Sequence, residues 1–172
     1  MGASKTLQFG QLQVTITESA NEVEYRFRGD VDENFRQKDF PRIQKETIIL
    51  HLEDVKNFNS IGLREWIFLL RDVAKSGHVI FRKCSVTIID QINMVPDSLG
   101  GGTVESFYAP YYCNHCELKA VDRLVEVSAS LDEITSKQAP HFKCEGCSND
   151  LEFDALEDSY FSFADGGLPK AS

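Results

Sequence analysis

The stretch that decides the fold is residues 48–63, IILHLEDVKNFNSIGL. Residues 48–52 are apolar except for His51 and begin with two β-branched residues, a composition typical of a buried strand covered on both faces. A short loop follows, and Ser60 then occupies the position of a helix N-cap, where its hydroxyl oxygen can accept from first-turn N–H groups. The stretch therefore predicts a central strand that leads into a helix.

The helix that follows the Ser60 cap has one apolar face. Its apolar residues recur three and four positions apart, which is the period of a helix lying on a sheet; they are Leu63, Trp66, Ile67, Leu70, Val73 and Ala74. Gly77 can end the helix because glycine adopts a left-handed conformation at little cost. A strand over residues 78–81 and a helix capped by Ser85 and ending at residue 94 continue the pattern.

The flanking segments complete the predicted sheet. Two stretches of strict alternation, Leu12, Val14, Ile16 and then Val23, Tyr25, Phe27, predict an opening β-hairpin. Residues 32–43 predict a short helix broken at Pro41, and residues 103–112 predict a strand bent at Pro110. A hairpin followed by alternating strands and helices predicts an α/β fold with a mixed sheet packed with helices.

The segment NSIGL, residues 59–63, resembles the signature of the STAS family, the fold of bacterial anti-sigma-factor antagonists. In that signature a hydrophobic strand and a small loop precede Asp-Ser-x-Gly-Leu at the start of a helix. An upstream family feature is matched by GDVD, residues 29–32. Two positions depart from the pattern: His51 stands where an acidic residue is usual, and Asn59 replaces the aspartate. The resemblance implies a STAS-like domain over residues 7–107.

The resemblance also implies a function. In the family, the serine of the signature is phosphorylated by a kinase-like anti-sigma factor, and the phosphate blocks partner binding. The chain is therefore expected to be a non-enzymatic signalling or adaptor protein that binds a protein partner through Asp32, Asn59, Ser60 and Gly62, with Ser60 as the candidate phosphorylation site. A phosphoserine at a helix N-terminus is compatible with the helix dipole. The residues alone leave a second interpretation open, in which Ser60 is a helix cap and nothing more.

Two Cys-x-x-Cys pairs form a second constellation. Cys113 and Cys116 are separated by 27 residues from Cys144 and Cys147. A Cys-x-x-Cys turn points both sulfurs at one ion, and zinc takes four thiolates in a closed structural site. The spacing predicts a small β zinc ribbon over residues 108–165 that holds one structural Zn²⁺ ion.

Other interpretations of the cysteines stay open. Four cysteines can form two disulfides, although a cytoplasmic chain seldom keeps them. One pair can instead be a redox dithiol, which would make the chain a thiol redox protein. His115 and His141 lie near the sulfurs and are interpreted as bystanders, because four cysteines already complete the shell. Cys84 is interpreted as a small buried hydrophobe.

Charge disfavours a nucleic-acid partner. The net charge is −9, and residues 103–172 carry 5 Lys/Arg against 13 Asp/Glu, a net of −8. An acidic surface repels phosphate backbones, so a zinc ribbon associated with nucleic acid is the weaker alternative.

Several classes of protein are disfavoured by missing motifs. The chain has no glycine-rich phosphate loop and no nucleophile elbow, so no catalytic residue is predicted. No apolar run reaches the roughly 18 residues of a membrane span. The first residues lack the apolar segment of a signal peptide, which leads us to expect a cytoplasmic location. Residues 1–6 and 166–172 are expected to be flexible.

Overall fold

The computed structural model describes residues 4–116 and 120–169. Its larger sheet has six strands in the order β1 to β6: β1 Ser4–Phe9, β2 Leu12–Glu18, β3 Glu22–Val31, β4 Thr47–Phe58, β5 His78–Arg82 and β6 Thr103–Val104. Two helices follow β4 and β5, namely α1 Ser60–Val73 and α2 Val86–Met94. The first three strands are antiparallel, whereas β3 to β6 run parallel. The predicted α/β fold with a mixed sheet is confirmed.

Strand β4 lies between β3 and β5 and carries the core of the sheet. Its Leu50 and Leu52 are buried on the face that the helices cover. The Trp66 ring of α1 packs edge-on against Phe27 of β3 and Phe81 of β5, with ring centroids 5.2 and 6.4 Å apart. Of the apolar face predicted for α1, Trp66, Leu70 and Val73 are buried, whereas Leu63 and Ile67 are half-buried and Ala74 is exposed. Leu69, which the prediction omitted, is buried as well.

The helix α1 begins one residue earlier than predicted. Strand β4 runs to Phe58, so a single residue, Asn59, connects it to the helix and is the N-cap. The Asn59 side-chain oxygen accepts from the Gly62 backbone N–H at 2.8 Å. Ser60 is thus the first helical residue rather than the cap, because the asparagine oxygen already satisfies the first-turn donor.

The predicted helix over residues 32–43 is wrong. Only a single 3₁₀ turn, Gln37–Asp39, forms there. Phe35 and Phe40 are both buried, at 0% and 6% exposure, and Pro41 follows them. A regular helix cannot contain this proline without losing a backbone hydrogen bond. The segment is irregular instead, and both phenylalanine rings pack into the core.

Two smaller predictions are also wrong. Helix α1 ends at Val73, its C-cap Ala74 is right-handed, and Gly77 is not left-handed, so Gly77 is not the cap. A side chain at Gly77 would lie 2.1 Å from the Lys45 carbonyl oxygen, so close approach of two backbones explains this glycine. Residues 103–112 form two strands that separate at Glu105, and Pro110 lies within the second.

A second sheet follows the first along the chain, and the two sheets share one hydrophobic core. Its strands lie in the order β8-β7-β9 and are β7 Ser106–Tyr112, β8 Ala120–Glu126 and β9 Glu152–Phe153. The same part of the chain contains three short helices, α3 Leu131–Thr135, α4 Glu157–Tyr160 and α5 Ala164–Gly167. The Cys84 backbone bonds to Ser106 and Tyr108 at the start of β7. The boundary placed between residues 107 and 108 therefore falls inside β7, and buried residues of both sheets form one hydrophobic cluster.

Both ends of the described chain contact the rest of the fold, the first by strand pairing and the last by packing. Residues 4–6, which we expected to be flexible, belong to β1, and Ser4 pairs with Thr17. At the other end Gly167 is buried against Leu99. Residues 1–3 and 170–172 of the predicted flexible ends lie outside the described residues.

His51 lies on the face of β4 opposite Leu50 and Leu52 and is 5% exposed. Its Nε2 atom is 3.1 Å from the Glu24 carboxylate, and its buried Nδ1 atom has no hydrogen-bond partner. Burial lowers the pKa of His51, and the neighbouring Arg26 lowers it further, while Glu24 opposes both effects. His51 is therefore a neutral buried residue at neutral pH.

Substituting Gly62 by alanine should destabilise the protein. The added methyl group would lie 2.0 Å from the Val31 carbonyl oxygen, so strand and helix must separate, at a cost of about 1–3 kcal/mol. The free energy of unfolding in urea measures the loss. Gly166→Ala is the matched control, because nothing lies within 4 Å of its added methyl group. Equal stabilities of the two variants would contradict the close contact at Gly62.

Stability should fall as the pH is lowered from about 7.5 to 5. The pKa of His51 is lower in the folded state than its ordinary value, so the unfolded chain binds the proton first. The contribution is complete above the ordinary pKa of about 6.5 and is lost as the pH falls through the folded value. His51→Gln should flatten the difference in unfolding free energy between these two pH values. His78→Gln, at an exposed histidine, should leave it unchanged, and equal slopes in all three proteins would contradict the assignment.

Candidate functional site: a four-cysteine metal centre and the start of helix α1

The first Cys-x-x-Cys turn joins β7 to β8. Cys113 follows the last residue of β7, and Tyr112 pairs with Ala120 at the start of β8. Cys113 is buried and Cys116 is half-buried. The hairpin thus holds both sulfurs at the end of the second sheet.

The second turn folds through its own backbone bonds. Cys144 N–H donates to the Asn149 carbonyl oxygen, and Ser148 N–H donates to the Cys144 carbonyl oxygen, both at 2.8 Å. Ser148 has a φ of 61°, which turns the chain back after Cys147. A bridge between Lys143 and Asp150 closes the loop. This tight turn aims both sulfurs to the same side.

The four sulfurs converge on one point. The Sγ atoms of all four cysteines lie within 4.8 Å of one another. Cys113 and Cys147 are 3.5 Å apart, as are Cys116 and Cys144, so each close pair joins the two turns. Four thiolates around a tetrahedral ion with bonds of about 2.3 Å are about 3.8 Å apart. The predicted cluster of four cysteines is confirmed as a group that can hold a metal ion.

The turns also favour the thiolate form that binds metals. Backbone N–H groups of Gly146 and Cys147 lower the pKa of Cys144 to about 6, and the neighbouring Cys116 thiol contributes. The Asn149 backbone, followed by its side chain, lowers the pKa of Cys147. Four sulfur ligands complete a tetrahedral shell, so the chemistry of this donor set is that of a closed structural site.

Other candidate ligands do not join this group. Within residues 4–116 and 120–169, the metal-binding group contains the four cysteines alone. His115 and His141 are both exposed. Cys84 is fully buried, and burial raises its thiol pKa well above the usual range, which agrees with its interpretation as a small hydrophobe.

Aromatic rings pack together next to the two cysteine turns. Tyr111 packs edge-on against Phe142 and Phe153, with centroids 5.2 and 5.4 Å apart, and its hydroxyl donates to the Pro140 carbonyl oxygen at 2.6 Å. Phe153 in turn stacks on Phe161 of the C-terminal segment. The metal centre is therefore connected by ring contacts to the core between the two sheets.

The sequence does not reveal that Arg123 links the two Cys-x-x-Cys turns. The Arg123 guanidinium on β8 donates to the Glu145 carboxylate at 2.6 Å and to the Lys143 carbonyl oxygen at 3.2 Å. It thereby ties the second turn to the hairpin that carries the first. No local pattern marks Arg123, because its partners are about 20 residues away and meet it only in the folded chain.

The four residues predicted to bind a partner meet at one corner of the first sheet. Asn59 donates from its side-chain amide to Glu33 at 2.6 Å, and the Asp32 carboxylate accepts from the Asn34 backbone at 2.8 Å. Asn59 and Ser60 are exposed, whereas Gly62 is buried. Gly62 therefore lets the helix approach β3 closely, and it has no exposed surface that could contact a partner.

No protein-family model matches the sequence, and no curated protein matches it either. Among the described residues, no helix has the length and apolar character needed to cross a bilayer. Function must therefore be argued from the geometry of the two sites.

Replacing one cysteine of the cluster should abolish metal binding. Cys144→Ser removes one sulfur ligand and also leaves Cys116 without its close neighbour, so the purified variant should contain no bound metal. Elemental analysis measures the content, and the wild-type chain should hold one ion. Cys84→Ala is the control, because Cys84 lies outside the cluster and its loss should leave the metal content at one ion. Metal retained at full stoichiometry in Cys144→Ser would contradict the four-cysteine site.

Removing the metal should also weaken the first sheet. Trp66, the single tryptophan, is a residue of α1 whose ring packs on the first sheet, so its fluorescence reports unfolding of that sheet. Because β7 bonds to Cys84 and shares one core with the first sheet, a chelator should lower the temperature at which Trp66 becomes exposed. A Trp66 midpoint that is the same with and without metal would show that the two sheets unfold independently.

Proposed function

We propose that the chain is a non-enzymatic signalling or adaptor protein of the STAS type, stabilised by a structural zinc ion, that binds a kinase-like anti-sigma factor. The proposal joins the resemblance at residues 29–32 and 59–63 to the surface that these residues form. A cytoplasmic location belongs to the same proposal. Each element has separate physical support.

The choice of zinc rests on the donor set. Soft thiolate ligands favour zinc, copper(I) and iron–sulfur clusters over magnesium or calcium. Four cysteines in two Cys-x-x-Cys turns on a small three-stranded sheet are typical of a zinc ribbon. A closed shell leaves no position for a substrate, so the ion would stabilise the fold rather than catalyse a reaction.

The observation that carries the docking proposal is the exposed first turn of α1 on a rigid base. Asn59 caps the helix and Gly62 packs against Val31, so the backbone of this turn is held in place. Ser60 and Ile61 nevertheless face solvent, and Ile61 is 42% exposed. A fixed backbone that presents a hydroxyl beside an exposed apolar side chain suits recognition by a protein surface, because little conformational entropy is lost on binding.

The same geometry explains how phosphorylation would act as a switch. Ser60 is the first residue of the helix, where exposed N–H groups and the helix dipole stabilise a negative charge. Arg64 lies one turn further on and is exposed, so it can approach the phosphate. The phosphate would place roughly two negative charges where a partner binds, next to the carboxylate of Glu33.

Direct binding measurements test the proposal. Purified kinase-like anti-sigma factors are titrated calorimetrically with the wild-type chain, Ser60→Glu and Ser128→Glu, the last at an exposed serine in the turn after β8. Ser60→Glu should weaken binding by about tenfold or more, and Ser128→Glu should not. Incubation with the kinase and ATP should add one phosphate at Ser60, and Ser60→Ala should stay unmodified.

A pair of apolar variants separates docking from the switch. Ile61→Asp should abolish binding, because it places a charge at the centre of the proposed interface. Leu131→Asp alters a side chain of nearly equal exposure, 44% against 42%, at the start of helix α3, and this variant should bind normally. Undiminished affinity in both Ser60→Glu and Ile61→Asp would refute the proposed surface.

A further inference from the structure

A cavity of about 240 Å³ lies between the C-terminal half of α1 and the connection from β3 to β4. Its floor is formed by Phe40, Leu69 and Val73, which are 6%, 3% and 8% exposed. Pro41 and Ile43 extend this apolar surface along one wall. An apolar group that enters the cavity would therefore replace water against side chains that the core already holds.

Hydrogen bonds at one end of the cavity and a close backbone approach near the other hold its two walls together. At one end the Gln37 backbone N–H donates to Glu65 at 3.0 Å, and its side-chain amide donates to Asp72. At the other end Gly77 lies against the Lys45 carbonyl oxygen, where no side chain would fit. The connection between β3 and β4 is thus tied to α1 and its following turn on both sides, and the cavity is preformed.

The rim of the cavity is positively charged in a chain whose net charge is −9. The residues that line it include two cations, Arg42 and Lys75, and one carboxylate, Asp72. Lys75 donates to Asp72 at 2.9 Å. Arg42 makes no hydrogen bond or ion pair with any described residue. The hydrogen bond from Lys75, and then the charges of Lys75 and Arg42, lower the pKa of Asp72.

We propose that this cavity, the α1 pocket, binds a small monocarboxylate with an apolar body. The body lies on Phe40, Leu69 and Val73, and the carboxylate pairs with Arg42. A guanidinium group presents donors in a planar fork that matches a carboxylate. The volume is below the roughly 300–1,000 Å³ of sites for drug-sized ligands, so a short aliphatic acid fits and a nucleotide does not.

The charge of Arg42 favours this class of ligand over others. A neutral apolar molecule would cover the floor but bring no acceptor to Arg42, which acts on Asp72 through its charge alone while Lys75 bonds to that carboxylate. A phosphate ion would satisfy Arg42 but would bury no apolar surface. A monocarboxylate does both, and it needs no second cation because Lys75 is already paired. This site is independent of the partner surface proposed above.

Titration calorimetry with hexanoate and hexanamide tests the pocket on the full metal-loaded chain. The two compounds differ only in the head group, so their affinity ratio isolates the role of the negative charge. Hexanoate should bind about tenfold or more tightly than hexanamide, as expected for one charge-assisted hydrogen-bonded pair. Equal affinities, or no saturable binding of hexanoate in the millimolar range, would overturn the proposal.

Three variants locate the binding. Arg42→Gln should remove the preference for hexanoate, whereas Lys38→Gln, at an exposed lysine of the same connection outside the pocket, should preserve it. Ile43→Trp should fill the cavity and abolish binding of both compounds. Circular dichroism and urea unfolding confirm that each variant folds. Hexanoate binding that survives both Arg42→Gln and Ile43→Trp would place the ligand elsewhere and refute the α1 pocket.

Discussion

Strand β7 is bonded to both halves of the molecule, and the arrangement of the whole chain depends on it. At its start, Cys84 N–H donates to the Ser106 carbonyl oxygen at 3.0 Å, and Tyr108 N–H donates to the Cys84 carbonyl oxygen at 2.8 Å. Its last residue leads directly into Cys113, the first sulfur of the metal centre. Backbone hydrogen bonds of a buried segment cannot be given up to water without breaking the core around them. The two sheets are therefore parts of one folded unit.

The C-terminal segment completes the joint between the sheets. The Tyr160 hydroxyl donates to the Tyr108 carbonyl oxygen of β7 at 2.6 Å, and the Asn93 side chain of α2 donates to the Tyr160 carbonyl oxygen at 2.8 Å. Phe161 and Phe163 bury their rings against Phe107. A small three-stranded sheet encloses little apolar surface of its own. A metal ion on one side and this aromatic segment on the other would supply what the small sheet lacks.

The corner at the start of α1 combines a rigid base with an exposed surface. Gly62 allows the helix to touch the carbonyl oxygen of Val31, and the Asn59 amide oxygen caps the first turn as a carboxylate oxygen would. The amide also donates to Glu33, which a carboxylate at this position could not do. Asparagine at residue 59 thus caps the helix and adds a link to the neighbouring loop. What remains exposed is the part that a partner or a kinase could reach.

The sequence by itself determined the features that depend on local periodicity and on fixed spacing. Alternation of apolar residues located β2 and β3, the helical period located α1, and the serine before α2 was recognised as its cap. The two Cys-x-x-Cys pairs identified all four sulfurs, because each turn needs only four consecutive residues to orient its ligands. Each of these features depends on only a few consecutive residues, so the sequence is sufficient to predict it.

Only the tertiary structure decided the features that join distant segments. The connection between β3 and β4 lacks its predicted helix because Phe35 and Phe40 are drawn into the core. The boundary predicted between residues 107 and 108 falls inside β7, and the Cys84 backbone bonds to Ser106 and Tyr108 on either side of it. Arg123 and the α1 pocket likewise have partners far away in the chain. Burial and long-range hydrogen bonding set these features, and neither leaves a periodic mark on the residues that take part.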